Sequence, residues 1–192
     1  MDFRKGQGAR SALAGLSFVL PFSLMFGSAL SGCGGAGTII DERYQIRGSR
    51  GEVVRDVVTG LEWQRCSFGQ NWNGDTCVGE AVKLNWSAAQ TAGDQSQGWR
   101  LPAREELFTL VYCSSGMCRE PWMQNVPCCS ESDSPTIVAA AFPNTPDSVF
   151  WSGSLHGGSS HHAWGLNFWN GRLSNMNRIN ELHYVRFVRD VR

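Results

Sequence analysis

The sequence predicts an α+β fold: two short helices packed on a twisted, mostly antiparallel sheet, with long loops braced by disulfides. Three observations predict it. Apolar runs of strand length recur, separated by Gly, Asn, Ser and Pro turn material. Two windows carry a plausible helix start followed by helical spacing. Charged residues make up only 18% of the chain, while 22 Gly and 8 Trp point to loops packed on aromatics rather than to a helical bundle. At 192 residues there is room for one domain with a real core.

Residues 1–32 read as an export signal. Arg4, Lys5 and Arg10 make a positive start, and the stretch from Ala12 to Leu30 is apolar but interrupted by Gly15, Pro21 and Gly27. Those interruptions suit a cleaved segment better than a membrane-spanning helix. Leu30-Ser31-Gly32-Cys33 has the form of a lipobox. Ser31 and Gly32 are small enough for a peptidase to grip the backbone, and the Cys33 thiol is the expected lipidation site. Each buried acyl CH₂ contributes about 0.8 kcal/mol, so two or more chains hold the membrane firmly. Gly34, rather than Asp, follows Cys33. By resemblance to Gram-negative lipoproteins this implies the outer membrane, with the cell surface as the expected face and the periplasmic face as the alternative. Removing Arg4, Lys5 and Arg10 against Asp2 leaves 14 basic and 16 acidic residues. That near balance gives no electrostatic reason for a nucleic-acid partner.

Residues 33–51 read as a lipid-anchored tether, and the domain is expected over 52–192. Val53 to Val58 reads as a strand, Thr59-Gly60 as a turn, and Leu61 to Gln64 as the return strand. Asn85 is the expected cap of a helix over 86–92. Gly98-Trp99-Arg100-Leu101-Pro102 leads into a second helix over 103–111, with Leu107, Leu110 and Val111 on its buried side. A cysteine-rich loop follows over 112–134, then a short apolar segment, 137–142, stopped by Pro143. Four strands close the chain, over 149–154, 163–169, 172–177 and 183–189.

Of seven cysteines, setting Cys33 aside leaves Cys66, Cys77, Cys113, Cys118, Cys128 and Cys129. An even number in an exported chain reads as a disulfide framework. Cys66 and Cys77 flank one Gly/Asn-rich loop and are expected to bond. Adjacent Cys128 and Cys129 would form a strained ring, so they are expected to reach back to Cys113 and Cys118, in an order left open. Their adjacency does not match ordinary zinc spacing.

Several segments, taken in order, resemble the Lcl C-terminal domain family. They are Val54-Arg55-Asp56, Thr59-Gly60-Leu61-Glu62-Trp63, Gly98-Trp99-Arg100-Leu101-Pro102, Glu106-Leu107, Phe142-Pro143, Phe150-Trp151-Ser152, Ala163-Trp164, Phe168, Val185-Arg186 and Val188-Arg189. The family is named for the C-terminal module of a bacterial collagen-like adhesin, and the likeness spans about residues 52–192. It implies a C-type-lectin-like fold and a role in binding, including binding to sugars and glycosaminoglycans. Ala103 stands where the family commonly places Thr or Ser, so a helix cap of about 1 kcal/mol is expected to be missing.

In the strand read over 163–169, Trp164, Leu166 and Phe168 share one face and Gly165, Asn167 and Trp169 the other. Trp63, Trp99, Trp151 and Trp164 are expected in the core. Trp169, flanked by Asn167 and Asn170, has the composition of a glycan or protein contact: the ring stacks on an apolar face while the amides bond hydroxyls or backbone. The neighbouring loops supply His156, His161, His162, Arg172, Asn175, Asn177, Arg178 and Asn180. This mix of adaptable polar groups around rigid aromatics is the style of a paratope. The Ser, Gly, His, Asn and Arg palette of 154–184 is also what a retroelement produces when it randomises adenines in a lectin-fold cassette.

No cofactor and no metal site is expected. His161 and His162 are adjacent and point apart in a strand, and the Glu-Pro-Asn (or Gln-Pro-Asp) and Trp-Asn-Asp triplets of calcium-dependent lectins are incomplete here, at Glu120-Pro121-Trp122 and Trp169-Asn170-Gly171. The expected function is therefore non-enzymatic: an adhesin-like surface module binding a glycan or protein ligand. The runner-up is a structural envelope lipoprotein that docks on partner proteins. A lesser alternative is a formylglycine-generating-type oxidase, which shares the fold but needs a cysteine pair near the chain's end. No cysteine follows Cys129.

Overall fold

The computed structural model describes residues 42–113 and 133–191. The export segment, Cys33, Cys118, Cys128, Cys129 and the Glu120-Pro121-Trp122 triplet lie outside the described residues. The described chain runs β1 (Tyr44–Arg47), β2 (Val53–Asp56), β3 (Leu61–Gln64), β4 (Asn71–Trp72), β5 (Cys77–Val78), α1 (Trp86–Thr91), α2 (Arg104–Phe108), β6 (Val149–Leu155), β7 (His162–Asn167), β8 (Arg172–Asn177) and β9 (Val188–Asp190). The strands form one sheet of order β1-β2-β3-β9, another of order β6-β7-β8, and a small ribbon of β4 and β5. All these ladders are antiparallel. With two short α-helices, the architecture is α+β, as the sequence predicts.

The first sheet follows from alternation. Leu61 and Trp63 of β3 are buried while Glu62 and Gln64 are half-buried, the period of a strand with one face inside. Gly60, at φ 74°, closes the β2–β3 turn in a left-handed conformation that a side chain would resist. Strand β1 is a correction: the sequence reading placed Tyr44–Arg47 in the tether, yet it pairs with β2 along its whole length. Only Tyr44 of the four is buried, so there was little apolar alternation to read. Arg43 secures this start. Its guanidinium donates to the fully buried Asp56 carboxylate at 2.8 Å and to the Thr109 carbonyl at 2.6 Å.

The register places both ends of the described domain together. Tyr44 pairs with Asp56, and Leu61 with Asp190, so the incoming and outgoing chain meet at one end of the sheet. The β1–β2 connection and the residues after β3 lie at the other end.

Residues 183–187, expected as part of one strand, instead stitch the two sheets together. His183 bridges Leu84, Tyr184 runs parallel to Phe150, and the Val185 and Phe187 carbonyls accept from the Phe68 and Gln64 N–H groups. The segment changes partner every residue or two, which no single ladder could record. Two buried clusters fill the interior: one around Trp63, Leu107, Leu110, Phe142, Phe150 and Leu166, the other around Trp99, Trp151, Ala163, Val185 and Phe187. Trp63, Trp99, Trp151 and Trp164 are all in the core, as expected.

Both helices are shorter than the sequence reading. Helix α1 is capped by the Asn85 carboxamide, which accepts from the Ala88 N–H at 2.8 Å. Helix α2 starts at Ala103 without a side-chain cap, but two other groups serve its free N–H donors. The Glu106 carboxylate accepts from the Ala103 N–H at 2.7 Å, and Ser154 of β6 accepts from the Arg104 N–H at 3.0 Å. The expected penalty is thus met by a side chain fifty residues away. Cys66 and Cys77 form the expected disulfide, and Cys113 is also disulfide-bonded.

Candidate functional site

The segments that carry the family likeness act as arginine clamps. Arg100 exchanges both backbone hydrogen bonds with Val188, and its guanidinium forks onto both Glu106 oxygens at 2.7 and 2.8 Å. Arg189 holds Glu62 at 2.8 Å while its guanidinium lies 4.3 Å from the centre of the Trp99 ring. Arg186 is fully buried and donates to the carbonyls of Gln64 and Arg65 and to the hydroxyls of Ser67 and Thr145. These residues hold secondary structure together.

The Glu106 clamp has a pH signature. Burial pushes the Glu106 carboxyl upward, but the Arg100 guanidinium and the Ala103 N–H outweigh it, so the group ends below the usual carboxylate range. A lowered folded value means that the clamp contributes fully above the unfolded carboxyl value of about 4.3 and loses its contribution as pH falls through the lower folded value. Glu106→Gln is therefore expected to destabilise the domain at neutral pH. The gap in urea midpoint between variant and wild type should shrink as pH falls below about 4.3 and through the lower folded value. A gap independent of pH would show that the carboxylate charge is not what the clamp uses.

The loop residues expected to bind fall into two groups. At one end of the β6-β7-β8 sheet, the β6–β7 turn meets the turn that follows β8. The Arg178 N–H donates to the His161 carbonyl at 3.0 Å, and its side chain donates to the Ser160 carbonyl at 2.8 Å. The same guanidinium lies 5.2 Å from the centre of the Trp86 ring at the start of α1. His162 is hydrogen-bonded through Nδ1 to the Ser159 hydroxyl at 2.9 Å, and His156 packs its ring 5.1 Å from Trp164. Asn177 accepts the N–H groups of Ile179 and Asn180 on its own side chain, which fixes the turn. His161, Asn175 and Asn180 are exposed, and so are the apolar Leu155, Ile179 and Leu182.

Trp169 belongs to the opposite end. Strand β7 stops at Asn167, so Trp169 sits in the β7–β8 turn and not on a strand face, which corrects the alternation drawn for it. The reason is local. The Asn167 side chain accepts the Trp169 N–H at 3.0 Å, the Asn170 side chain accepts the Arg172 N–H at 3.1 Å, and Gly171 takes φ 70°. Trp169 is exposed at 43%, but Asn167 and Asn170 have committed their side-chain oxygens to the turn. Strand β8, from Arg172 to Asn177, separates the two ends by roughly 17 Å at the usual rise per residue. Asn167, Trp169, Asn170 and Arg172 thus do not share one patch with His156, His161, His162, Asn177, Arg178 and Asn180; Asn175 lies on the connecting strand.

Three residues at the Arg178 end were not among the expected contact residues. Trp86 supplies the platform beneath Arg178. Glu181 binds His183 at 2.8 Å and accepts the Asn177 N–H. Ser159 orients His162. The helical spacing that reads Trp86 as a first-turn residue says nothing of what lies above its ring. Among the described residues, no group of three or more His, Cys, Asp or Glu side chains could hold a metal ion, and no helix is long and apolar enough to cross a membrane.

No curated protein matches the chain. The Lcl C-terminal domain matches residues 52–189, which take in every clamp described above and both ends of the β6-β7-β8 sheet. The chain belongs to the Lcl C-terminal domain family.

Proposed function

We propose that this protein is an exported, lipid-anchored binding module of the outer cell surface, adhesin-like, which recognises a glycan or protein ligand through the loop end built around Arg178. The scaffold in this reading is C-type-lectin-like, and Cys33 carries the lipid. The carrying observation is the way Arg178 joins two turns over Trp86. Loops that are rich in Ser, Asn and His, yet tied to each other and to a helix, lose little freedom when a ligand arrives. Leu155, Ile179 and Leu182 add exposed apolar surface at that end. The same turns carry much of the residue palette expected of retroelement diversification, for which a nearby near-repeat of the gene differing at adenines is the genomic signature.

The test is an array of glycans and matrix proteins probed with the mature protein. Ile179→Asp, at a site 57% exposed, is expected to leave folding intact and to weaken the bound signal about tenfold or more. Trp169→Ala, at the far end, is expected to bind as wild type. The reverse pattern would refute the Arg178 end as the contact surface. Protease treatment of intact cells should release the domain, and mass spectrometry should find a diacylated Cys33 at the mature N-terminus; an unmodified thiol there would refute the anchor.

A further inference from the structure

We infer that a second ligand site, for an uncharged, hydroxyl-bearing saccharide, lies in the cleft between the disulfide loop and the end of the first sheet where β1 turns into β2. The cleft has a volume of about 560 Å³, within the usual range of about 300–1,000 Å³ for small-ligand sites. Phe68, Trp72 and Trp99 form its aromatic walls, and Gln64, Asn71 and Gln97 bring carboxamides to it.

The walls are rigid. Trp72 donates its indole N–H to the Arg50 carbonyl at 2.7 Å, and Arg65 covers its ring at 4.0 Å. Trp99 is covered by Arg189 at 4.3 Å, and Phe68 packs edge-on to Phe187. Each ring therefore has one side already occupied, and what remains is a shaped apolar wall rather than a broad stacking platform.

The polar groups decide the ligand class. Arg50 and Arg189 face Glu52 and Asp94 around the cleft, so its formal charges cancel. Each of the four is engaged within the protein. Arg189 holds Glu62, and the Arg50 guanidinium donates to the Trp72 carbonyl. Glu52 accepts the Arg50 N–H, and Asp94 accepts from Ser96 and Gln97. Two cations and two anions balance around the cleft, so it carries no net formal charge to select a sulfate, a carboxylate or an amine. In contrast, the Gln64 and Asn71 carboxamides have no hydrogen-bond partner among the described residues. A carboxamide offers two donors and one acceptor oxygen, which complements hydroxyls that both give and accept. The register adds an orientation: the cleft lies away from the end of the first sheet where the incoming and outgoing chain meet.

The inference is independent of the Arg178 surface and is tested separately. The mature protein, labelled with ¹⁵N, is titrated with neutral oligosaccharides of glucose, galactose, mannose and N-acetylglucosamine, and with a heparin-derived oligosaccharide as the sulfated arm. A neutral probe is expected to shift the side-chain amide signals of Gln64 and Asn71 saturably, and the heparin probe to leave them in place. Gln64→Ala and Asn71→Ala should each weaken that binding about tenfold. Both positions line the cleft and lie outside the two buried clusters, so neither variant tests the core. Three results would overturn the inference: no neutral probe shifting those signals, heparin shifting them more strongly, or both variants binding as wild type. Array binding lost in Ile179→Asp, with no neutral probe shifting the Gln64 and Asn71 signals, would remove the cleft and leave the loop surface standing.

Discussion

Replacing Arg186 with Met is expected to lower the stability of the domain by about 4 kcal/mol, the largest single loss anticipated here. The guanidinium is fully buried between Phe142, at 4.8 Å from the ring centre, and Phe150, at 5.9 Å. Burial pulls it down to about 9, so it keeps its charge at neutral pH. Among the described residues it hydrogen-bonds no carboxylate; its two terminal nitrogens reach the carbonyls of Gln64 and Arg65 and the hydroxyls of Ser67 and Thr145. Met fills much of the volume but leaves those oxygens without a donor, each at a cost of about 1–3 kcal/mol before relaxation. Arg186→Lys keeps the charge as a single point that cannot fork, and an intermediate loss is expected. Urea unfolding of the three proteins should rank wild type, Lys and Met in that order. A Met variant within about 1 kcal/mol of wild type would show that the acceptors find water and that the clamp is dispensable.

The second large effect belongs to the Cys66–Cys77 bond. It closes a loop of sequence separation 11, for which the chain-entropy estimate is about 3 kcal/mol. The loop has little else inside it: Trp72 packs with the two half-cystines in a small cluster apart from the main interior. The paired substitution Cys66→Ser with Cys77→Ser is expected to lower stability by that amount and to redden Trp fluorescence as Trp72 meets water. The double variant isolates this bond from the one made by Cys113, which reductant would break as well. An unchanged unfolding midpoint would mean that the Arg65 and Arg50 contacts to Trp72 hold the loop on their own.

Strand β3 was legible from its period-two burial, β6 and β8 from strand-length runs bounded by Gly, Ser and Asn turn material, and the core tryptophans because large apolar side chains report burial directly. The start of α1 was legible because Asn85 is a capping residue with its own chemistry. What escaped depended on distant partners. Strand β1 has one buried residue in four, and its place comes from pairing with β2 and from Arg43 reaching Asp56. The missing cap at Ala103 was read correctly, but its replacement by Ser154 needs β6 to lie across the helix start. Alternation was carried two residues too far at Trp169, where two Asx turns end the strand. The composition of the loop contacts was visible in the sequence, whereas their division between two ends of a sheet required the register.

That β1 pairs with β2 from its first residue also bears on mechanics. If the chain is held at its N-terminus while a ligand pulls on the far side of the domain, the load enters along the axis of β1. The hydrogen bonds to β2 are then strained together in shear instead of being peeled one by one. The strand that lies before the family match is in this sense a strain relief, and the rate of forced unfolding, rather than equilibrium stability, sets how long the domain withstands the load.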